Sequence, residues 1–131
     1  AEVAADDPGR LRIVNRGHPA PLVFHDGAAR YLEPSVPALP LGMSELGWWP
    51  DRADDAFFPE GAPLVLYTDG VIECENSEGD EFGVERLCEV ITQNSDRSSQ
   101  DLVNAITAEV SRFSTGTAQI DDITLIAIEK R

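Results

Sequence analysis

Residues 64–70 read Leu-Val-Leu-Tyr-Thr-Asp-Gly, a continuous apolar run that stops at a polar turn. A short apolar run bounded by turn residues predicts a strand buried on both faces. Residues 123–128 read Ile-Thr-Leu-Ile-Ala-Ile and predict a second buried strand, which Asp121 and Asp122 introduce. These are the two most apolar strands of the chain, and the other elements are predicted around them.

The chain before residue 33 predicts more strands. Residues 11–15 alternate apolar and polar side chains, and residues 22–25 follow after a Gly-His-Pro turn, so this opening is interpreted as a hairpin. Asp26-Gly27 is a strong hairpin signal, and residues 29–32 are expected to return as the partner strand.

The region from Pro34 to Pro63 is rich in Pro and Gly and contains Trp48 and Trp49. It predicts a long loop with a short strand near residues 56–58. Packing within the loop is the simpler interpretation of the two tryptophans, and a docking surface is the alternative.

Two amphipathic helices are predicted between the apolar strands. Apolar residues from 84 to 91 follow the spacing of one helix face. A second helix is expected to begin at Ser98, where Asp101 completes a capping-box pattern. The apolar positions are Val84, Leu87, Cys88 and Ile91 in the first helix and Leu102, Val103, Ile106, Val110 and Phe113 in the second.

This order of elements, with strands first, then two helices and a last strand, predicts an α+β fold. The expected architecture is an antiparallel β-sheet or β-sandwich with helices packed on a face. The chain begins in the middle of this pattern, so we expect the domain to be incomplete at its N-terminus.

Composition and charge exclude several classes of protein. The apolar content of 42% is typical of a globular domain, and no apolar run approaches the roughly 18 residues that a membrane helix needs. With 24 acidic and 10 basic residues, the net charge of −14 is expected to repel nucleic acid and anionic lipid. No signal pattern opens the chain, so we expect a cytoplasmic protein in which Cys74 and Cys88 are free thiols.

Two aspartates flank the apolar strands. Asp69 lies just after the first strand and Asp121 just before the second, so both carboxylates lie at one rim if the strands are antiparallel neighbours. Adjacent carboxylates repel each other unless a cation joins them, and Mg²⁺ or Mn²⁺ suits oxygen ligands. An ordinary turn at Asp69 and a cap or solvated charge at Asp121 are the alternatives, and the residues alone leave the choice open.

Five motifs, in order along most of the chain, resemble those of SpoIIE-type phosphatases. No single motif is specific, but five in the family order are. They are Asn15-Arg16-Gly17-His18-Pro19-Ala20-Pro21-Leu22 for N-A-G-H-P-P-P-L, Pro40-Leu41-Gly42 for P-L-G, Leu66-Tyr67-Thr68-Asp69-Gly70-Val71-Ile72-Glu73 for L-Y-T-D-G-x-x-E, Gly79, Phe82-Gly83 and Glu85-Arg86-Leu87 for G-x-x-F-G-x-E-R-L, and Asp121-Asp122-Ile123-Thr124-Leu125 for D-D-x-T-L.

The resemblance implies a metal-dependent protein phosphatase (PPM) fold related to protein phosphatase type 2C, an antiparallel β-sandwich with flanking helices. It implies two Mn²⁺ or Mg²⁺ ions at one rim, which would activate a water against a phosphoserine or phosphothreonine. Asp69 and Asp121 take the metal-ligand positions, Asp122 is the second choice, and Gly70 and Glu73 lie near the metals. The implied substrate is a phosphorylated anti-anti-sigma-type protein of bacterial sigma-factor partner switching.

The chain departs from the family in its first half. The G-D-x-S-G-H-G motif, which supplies the bridging Asp, is absent, and neither His18 nor His25 lies in a Gly-Asp context. We therefore predict that residues 1–131 are the C-terminal part of a single SpoIIE-type phosphatase domain, inactive alone. A non-catalytic, pseudophosphatase-like module that binds a regulatory protein is the alternative. Exposed strand edges in such a piece predict a homodimer, and His18 is expected to serve its turn rather than catalysis.

Overall fold

Strands in two antiparallel sheets and helices on one side of them make up the described part of the chain. A computed structural model describes residues 2–3, 9–32, 53–117 and 121–130. The strands are β1 (Glu2–Val3), β2 (Arg10–Ile13), β3 (Leu22–His25), β4 (Ala28–Tyr31), β5 (Asp54–Phe57), β6 (Pro63–Tyr67) and β7 (Leu125–Glu129). The helices are α1 (Asp69–Ile72), α2 (Gly83–Gln93) and α3 (Ser99–Phe113).

One sheet has the strand order β1-β2-β5 and the other has the order β4-β3-β6-β7. The predicted α+β fold with antiparallel sheets is confirmed. The interpretation of the opening as a hairpin was wrong for β2 and β3, because β2 pairs with β1 and β5 while β3 belongs to the other sheet. The Gly-His-Pro turn thus carries the chain from one sheet to the other.

The hairpin of β3 and β4 forms at the predicted Asp-Gly pair. Asp26 has φ 51° and Gly27 has φ 81°, the positive values that a two-residue type I′ turn requires at both central positions. His25 pairs with Ala28 directly across the turn. The backbone N–H of Ala29 also donates to the Thr92 hydroxyl at 2.9 Å, which ties the hairpin to α2.

Strand β6 lies between two hydrophobic cores, as its apolar run predicts. Leu64 packs between the sheets, and Val65 and Tyr67 face the helices. The core between the sheets contains Leu11, Ile13, Val23, Leu32, Ala56, Phe58 and Leu64. The core under the helices contains Leu22, Val65, Tyr67, Val71, Phe82, Leu87, Ile91, Leu102, Ile106 and Val110.

Both long helices form where the sequence predicts them. The Ser98 hydroxyl caps α3 by accepting from the Asp101 N–H at 3.2 Å, and it donates to the Asp101 carboxylate at 2.7 Å. The apolar stripe of α3 is buried at Leu102, Ile106 and Val110. Among the described helices, none combines the length and apolar character needed to span a membrane.

Other predictions have mixed outcomes. The short strand expected near residues 56–58 forms as β5, whereas Pro40-Leu41-Gly42 and Trp48-Trp49 lie outside the described residues. Residues 69–72 form the short helix α1 in place of a simple turn.

Candidate functional site

The two aspartate-bearing segments meet at one rim of the four-stranded sheet. Strands β6 and β7 are antiparallel neighbours, with Tyr67 opposite Leu125 as the last pair of their ladder. The condition under which both aspartates lie at one rim, antiparallel pairing of the two apolar strands, is therefore met. Residues 68–70 therefore leave β6 at the same end at which residues 121–124 enter β7, and we call these two segments the rim.

Thr68 links the two segments through three hydrogen bonds. Its hydroxyl donates to the Asp122 carbonyl at 2.9 Å and accepts from the Thr124 N–H at 2.9 Å. Its backbone N–H donates to the Thr124 carbonyl at 3.1 Å. The rim is thus held together beyond the last strand pair.

Gly70 brings the two segments into direct contact. It is buried, and a Cβ atom at this position would lie 2.6 Å from the Asp122 carbonyl oxygen and 3.2 Å from its carbonyl carbon. No side chain fits there unless the backbone moves. The glycine of the Thr-Asp-Gly motif is therefore required by a neighbour more than 50 residues away in sequence.

The predicted ligands Asp69 and Asp121 are both exposed, and each carboxylate accepts from the next backbone amide. Asp69 Oδ1 accepts from the Gly70 N–H at 3.1 Å, and Asp121 Oδ1 accepts from the Asp122 N–H at 2.7 Å. These bonds orient both side chains at the rim. Asp122 is exposed as well, and its backbone supplies the contacts to Thr68 and Gly70.

A cleft of about 450 Å³ opens beside the rim, and we call it the acidic cleft. Three of the predicted site residues line it: Gly70, Glu73 and Asp121. Asp69 and Asp122 are not among the described residues that line it. The other lining residues are Cys74, Glu75, Glu81, Val110, Ser111, Ser114, Thr117 and Ile123.

Sequence reasoning missed Glu75 and Glu81, which pair across an isolated β-bridge and add two carboxylates to the cleft. The turn between them is organised by Asn76, whose Oδ1 accepts from the N–H groups of Glu78 and Asp80 at 2.9 Å each. The Asn-x-x-Gly pattern of residues 76–79 signals this turn, but only the fold brings the residues on either side of it to the acidic cleft.

The Cys74 thiol lies in the wall of the acidic cleft and donates to the Val71 carbonyl at 3.4 Å. Burial raises the pKa of this thiol above its ordinary value. Cys74 and Cys88 are both free, as predicted, and both are half-buried.

The turn with the N-R-G-H-P sequence shares a second groove with Thr68 and Thr124 of the rim. The Asn15 amide donates to the His18 carbonyl at 2.8 Å, and Asn15 Oδ1 accepts from the His18 N–H at 3.0 Å. His18 therefore contributes to the structure of this turn, as expected, through its backbone N–H and carbonyl groups. Arg16 and His18 also line the second groove, which has a volume of about 420 Å³.

The carboxylate oxygens at the rim are suitable ligands for a hard cation, but they do not form a complete ligand set. Carboxylate oxygens are the ligands that Mg²⁺ and Mn²⁺ prefer, and Asp69 and Asp121 stand on touching segments. No group of three or more His, Cys, Asp or Glu side chains among the described residues is arranged to hold a metal ion. These residues thus fit an incomplete ligand set, and their role as ligands stays a prediction.

Solved structures share this fold. The SiaA-PP2C domain of Pseudomonas aeruginosa superposes with a TM-score of 0.70 at 19% identity, covering 88% of this chain and 44% of that one. The RsbU and RsbW domains of Rv1364c from Mycobacterium tuberculosis give 0.66 at 26% identity, with 95% and 33% covered. The Mn-presoaked phosphatase domain of SpoIIE from Bacillus subtilis gives 0.63 at 13% identity, with 92% and 55% covered. The fold is that of a PP2C-type phosphatase domain.

Sequence comparison identifies the family. The model described as Stage II sporulation protein E (SpoIIE) matches residues 3–131, and the chain belongs to this family. Protein IcfG of Synechocystis sp. (strain ATCC 27184 / PCC 6803 / Kazusa) is 31% identical over 121 residues, which is 92% of this chain but 18% of that protein. The chain spans a minor part of this relative and about a third to a half of the structures it resembles. The family consists of PP2C-type phosphatases related to regulators of sigma-factor partner switching.

Proposed function

We propose that this chain is the C-terminal part of a SpoIIE-type phosphatase domain and carries two of its metal ligands, Asp69 and Asp121. The observation that carries the proposal is the contact between residues 68–70 and 121–124, which puts both aspartates on one rim. The alternative interpretations, an ordinary turn at Asp69 and a cap or solvated charge at Asp121, do not require these two distant segments to be in contact.

The cofactor proposed is Mn²⁺ or Mg²⁺, with two ions in the complete domain. The oxygen donors of the rim suit either ion, and the related SpoIIE domain was soaked with Mn. A bound ion supplies an acidified water and positive charge for phosphoryl oxygens. The chain's own part is to hold the ion through Asp69 and Asp121. Glu73 lines the acidic cleft together with Asp121 and is proposed as an acidic group near the ions.

The proposed reaction is hydrolysis of a phosphoserine or phosphothreonine ester in a protein. Water adds to phosphorus, the bond between phosphorus and the side-chain oxygen breaks, and that oxygen takes a proton. The proposed substrate is a phosphorylated anti-anti-sigma-type protein, because the family is related to regulators of partner switching.

The test compares Asp69→Asn and Asp121→Asn with Asp96→Asn in the full-length protein. Asp96 is an exposed aspartate outside the rim and the acidic cleft, so it controls for loss of one surface charge. Phosphate release from a phosphoserine peptide is measured against Mn²⁺ concentration. We expect each rim variant to lose roughly 100-fold in rate, at the upper end of what changes around metal ligands cost, and Asp96→Asn to match the wild type. Normal turnover by either rim variant would contradict the ligand assignment.

The second candidate is a non-catalytic module that binds a regulatory protein. It is favoured by the lack of a complete metal-ligating group among the described residues. It predicts no metal-dependent turnover in the full-length protein, whichever aspartate is present. The same assay therefore separates the two proposals.

We also propose that the isolated 131-residue chain forms a homodimer. Large apolar side chains are exposed on both sheets at Tyr31, Phe57 and Ile126, and Val14 is exposed directly after β2. Exposed strand edges and apolar faces favour self-association. Sedimentation velocity of the isolated chain tests this, and a monomer at micromolar concentration contradicts it.

A further inference from the structure

Thr68 occupies the point at which the regular strand pairing ends and the aspartate-bearing segments begin. Residues 121–124 precede β7, and the one backbone bond that continues the pairing beyond the ladder joins the Thr68 N–H to the Thr124 carbonyl, so residues 121–123 lie outside the strand pairing. The Thr68 hydroxyl uses both its donor and its acceptor capacity on this segment, at positions on either side of Ile123. A methyl group in place of the hydroxyl can do neither.

Thr68 and Gly70 act on the same segment in opposite senses. The absent Cβ of Gly70 lets the Asp122 carbonyl approach, and any further approach is blocked by van der Waals contact. The hydroxyl of Thr68 holds the same carbonyl at 2.9 Å and prevents it from moving away. Together they fix the spacing between the chain at Asp69 and the chain at Asp121 from both directions.

We propose that Thr68 is a positioning residue that sets the separation of the Asp69 and Asp121 carboxylates for metal binding. The inference rests on the proposed function, since it assumes that these carboxylates hold the ion. Metal coordination tolerates displacements of only about 0.2 Å. Thr68 is only partly buried, so water replaces its hydrogen bonds when the hydroxyl is lost. Water satisfies the backbone groups but does not fix their spacing, so metal affinity falls more than folding stability does.

The test measures Mn²⁺ affinity of the full-length protein from the electron paramagnetic resonance signal of free Mn²⁺. Thr68→Val removes the hydroxyl at nearly constant shape, and Thr68→Ser keeps it. Thr107→Val is the matched control, because the Thr107 hydroxyl donates to the Val103 carbonyl on the exposed face of α3. We expect Thr68→Val to weaken Mn²⁺ binding about tenfold or more, and the other two to bind as the wild type does. Circular dichroism confirms that each variant is folded.

Wild-type Mn²⁺ affinity in Thr68→Val overturns the inference, and so does an equal loss in Thr68→Ser. Thr68→Ala removes the same hydroxyl with a smaller side chain and replaces the valine variant if that variant does not fold. Asp69→Asn is titrated in parallel. If Asp69→Asn loses Mn²⁺ and Thr68→Val does not, only the inference about Thr68 fails. If Asp69→Asn binds Mn²⁺ normally, the proposed function fails first.

Discussion

Replacement of Gly70 by alanine tests the contact on which the candidate site depends. The added Cβ would lie 2.6 Å from the Asp122 carbonyl oxygen, whereas a carbon and a carbonyl oxygen in close contact are about 3.3 Å apart. The two segments of the rim must therefore separate by roughly 0.7 Å. The obstructing atom belongs to the backbone, so no side-chain rotation relieves the clash.

The expected loss of stability follows from two opposing effects. Overpacking of a well-packed site costs about 1–3 kcal/mol, and a clash with backbone lies at the upper end of that range. Alanine is favoured over glycine within a helix by about 1 kcal/mol, which offsets part of the loss in α1. The net destabilisation is roughly 2 kcal/mol, which lowers the Tm of a domain of this size by about 8 °C.

Thermal unfolding followed by circular dichroism measures this loss, and a Mn²⁺ titration of the full-length variant measures its effect on the site. Gly61→Ala is the control, because Gly61 has φ 72° and open space around it. That variant is destabilised by about 1–2 kcal/mol through its left-handed backbone, but its Mn²⁺ affinity should not change. A Gly70→Ala protein as stable as the wild type, or more stable, would refute the close contact between the segments.

Three further predictions concern other parts of the chain. Ser98→Ala should cost about 1 kcal/mol in urea unfolding through loss of the α3 cap, and an unchanged midpoint would contradict the capping role. Arg10, bonded to Asp55 at 3.1 and 2.6 Å, holds the pKa of that carboxyl below its ordinary value of 3.8. The contribution of Asp55 to stability is thus present above the unfolded pKa and lost as pH falls through the lower folded value. An NMR titration should find its midpoint below 3.8 in the wild type and higher in Arg10→Gln, and equal midpoints would refute this. Burial raises the pKa of the Cys74 thiol. Burial is also the main cause of the raised pKa of the Cys88 thiol, and the negative charge of Glu85 raises it further. Both should therefore react slowly with iodoacetamide at pH 7 and quickly after denaturation, whereas fast labelling of the native protein would be inconsistent with burial.

The sequence predicted the hairpin turn, the cap of α3 and the buried strand β6 correctly, because each depends on residues that are close together in the chain. The Asp26-Gly27 turn needs two positive φ values, which this residue pair adopts readily. The cap of α3 lies within four residues, Ser98 to Asp101, and its bonds form as the sequence indicates. The uninterrupted apolar run of residues 64–67 indicates burial on both faces because no polar side chain alternates with it.

The partner of β2 could not be predicted in this way. Its alternating pattern identifies a strand but not the sheet to which it belongs, and β2 pairs with β1 and β5 rather than with β3. Sequence neighbours often pair, but here the Gly-His-Pro turn crosses between the layers of the sandwich. Glu75 and Glu81 were missed for a similar reason, since nothing local marks a glutamate that will line a cleft.

The order of the motifs predicted the family, and the apolar runs predicted the two strands with an aspartate at the end of each, because both signals are local to the chain. The bonds of Thr68 to Asp122 and Thr124, and the contact of Gly70 with the Asp122 carbonyl, could be seen only in the folded chain. These contacts join residues more than 50 positions apart. They depend on the register of β6 against β7, which is set by the packing of two cores at once rather than by any local propensity.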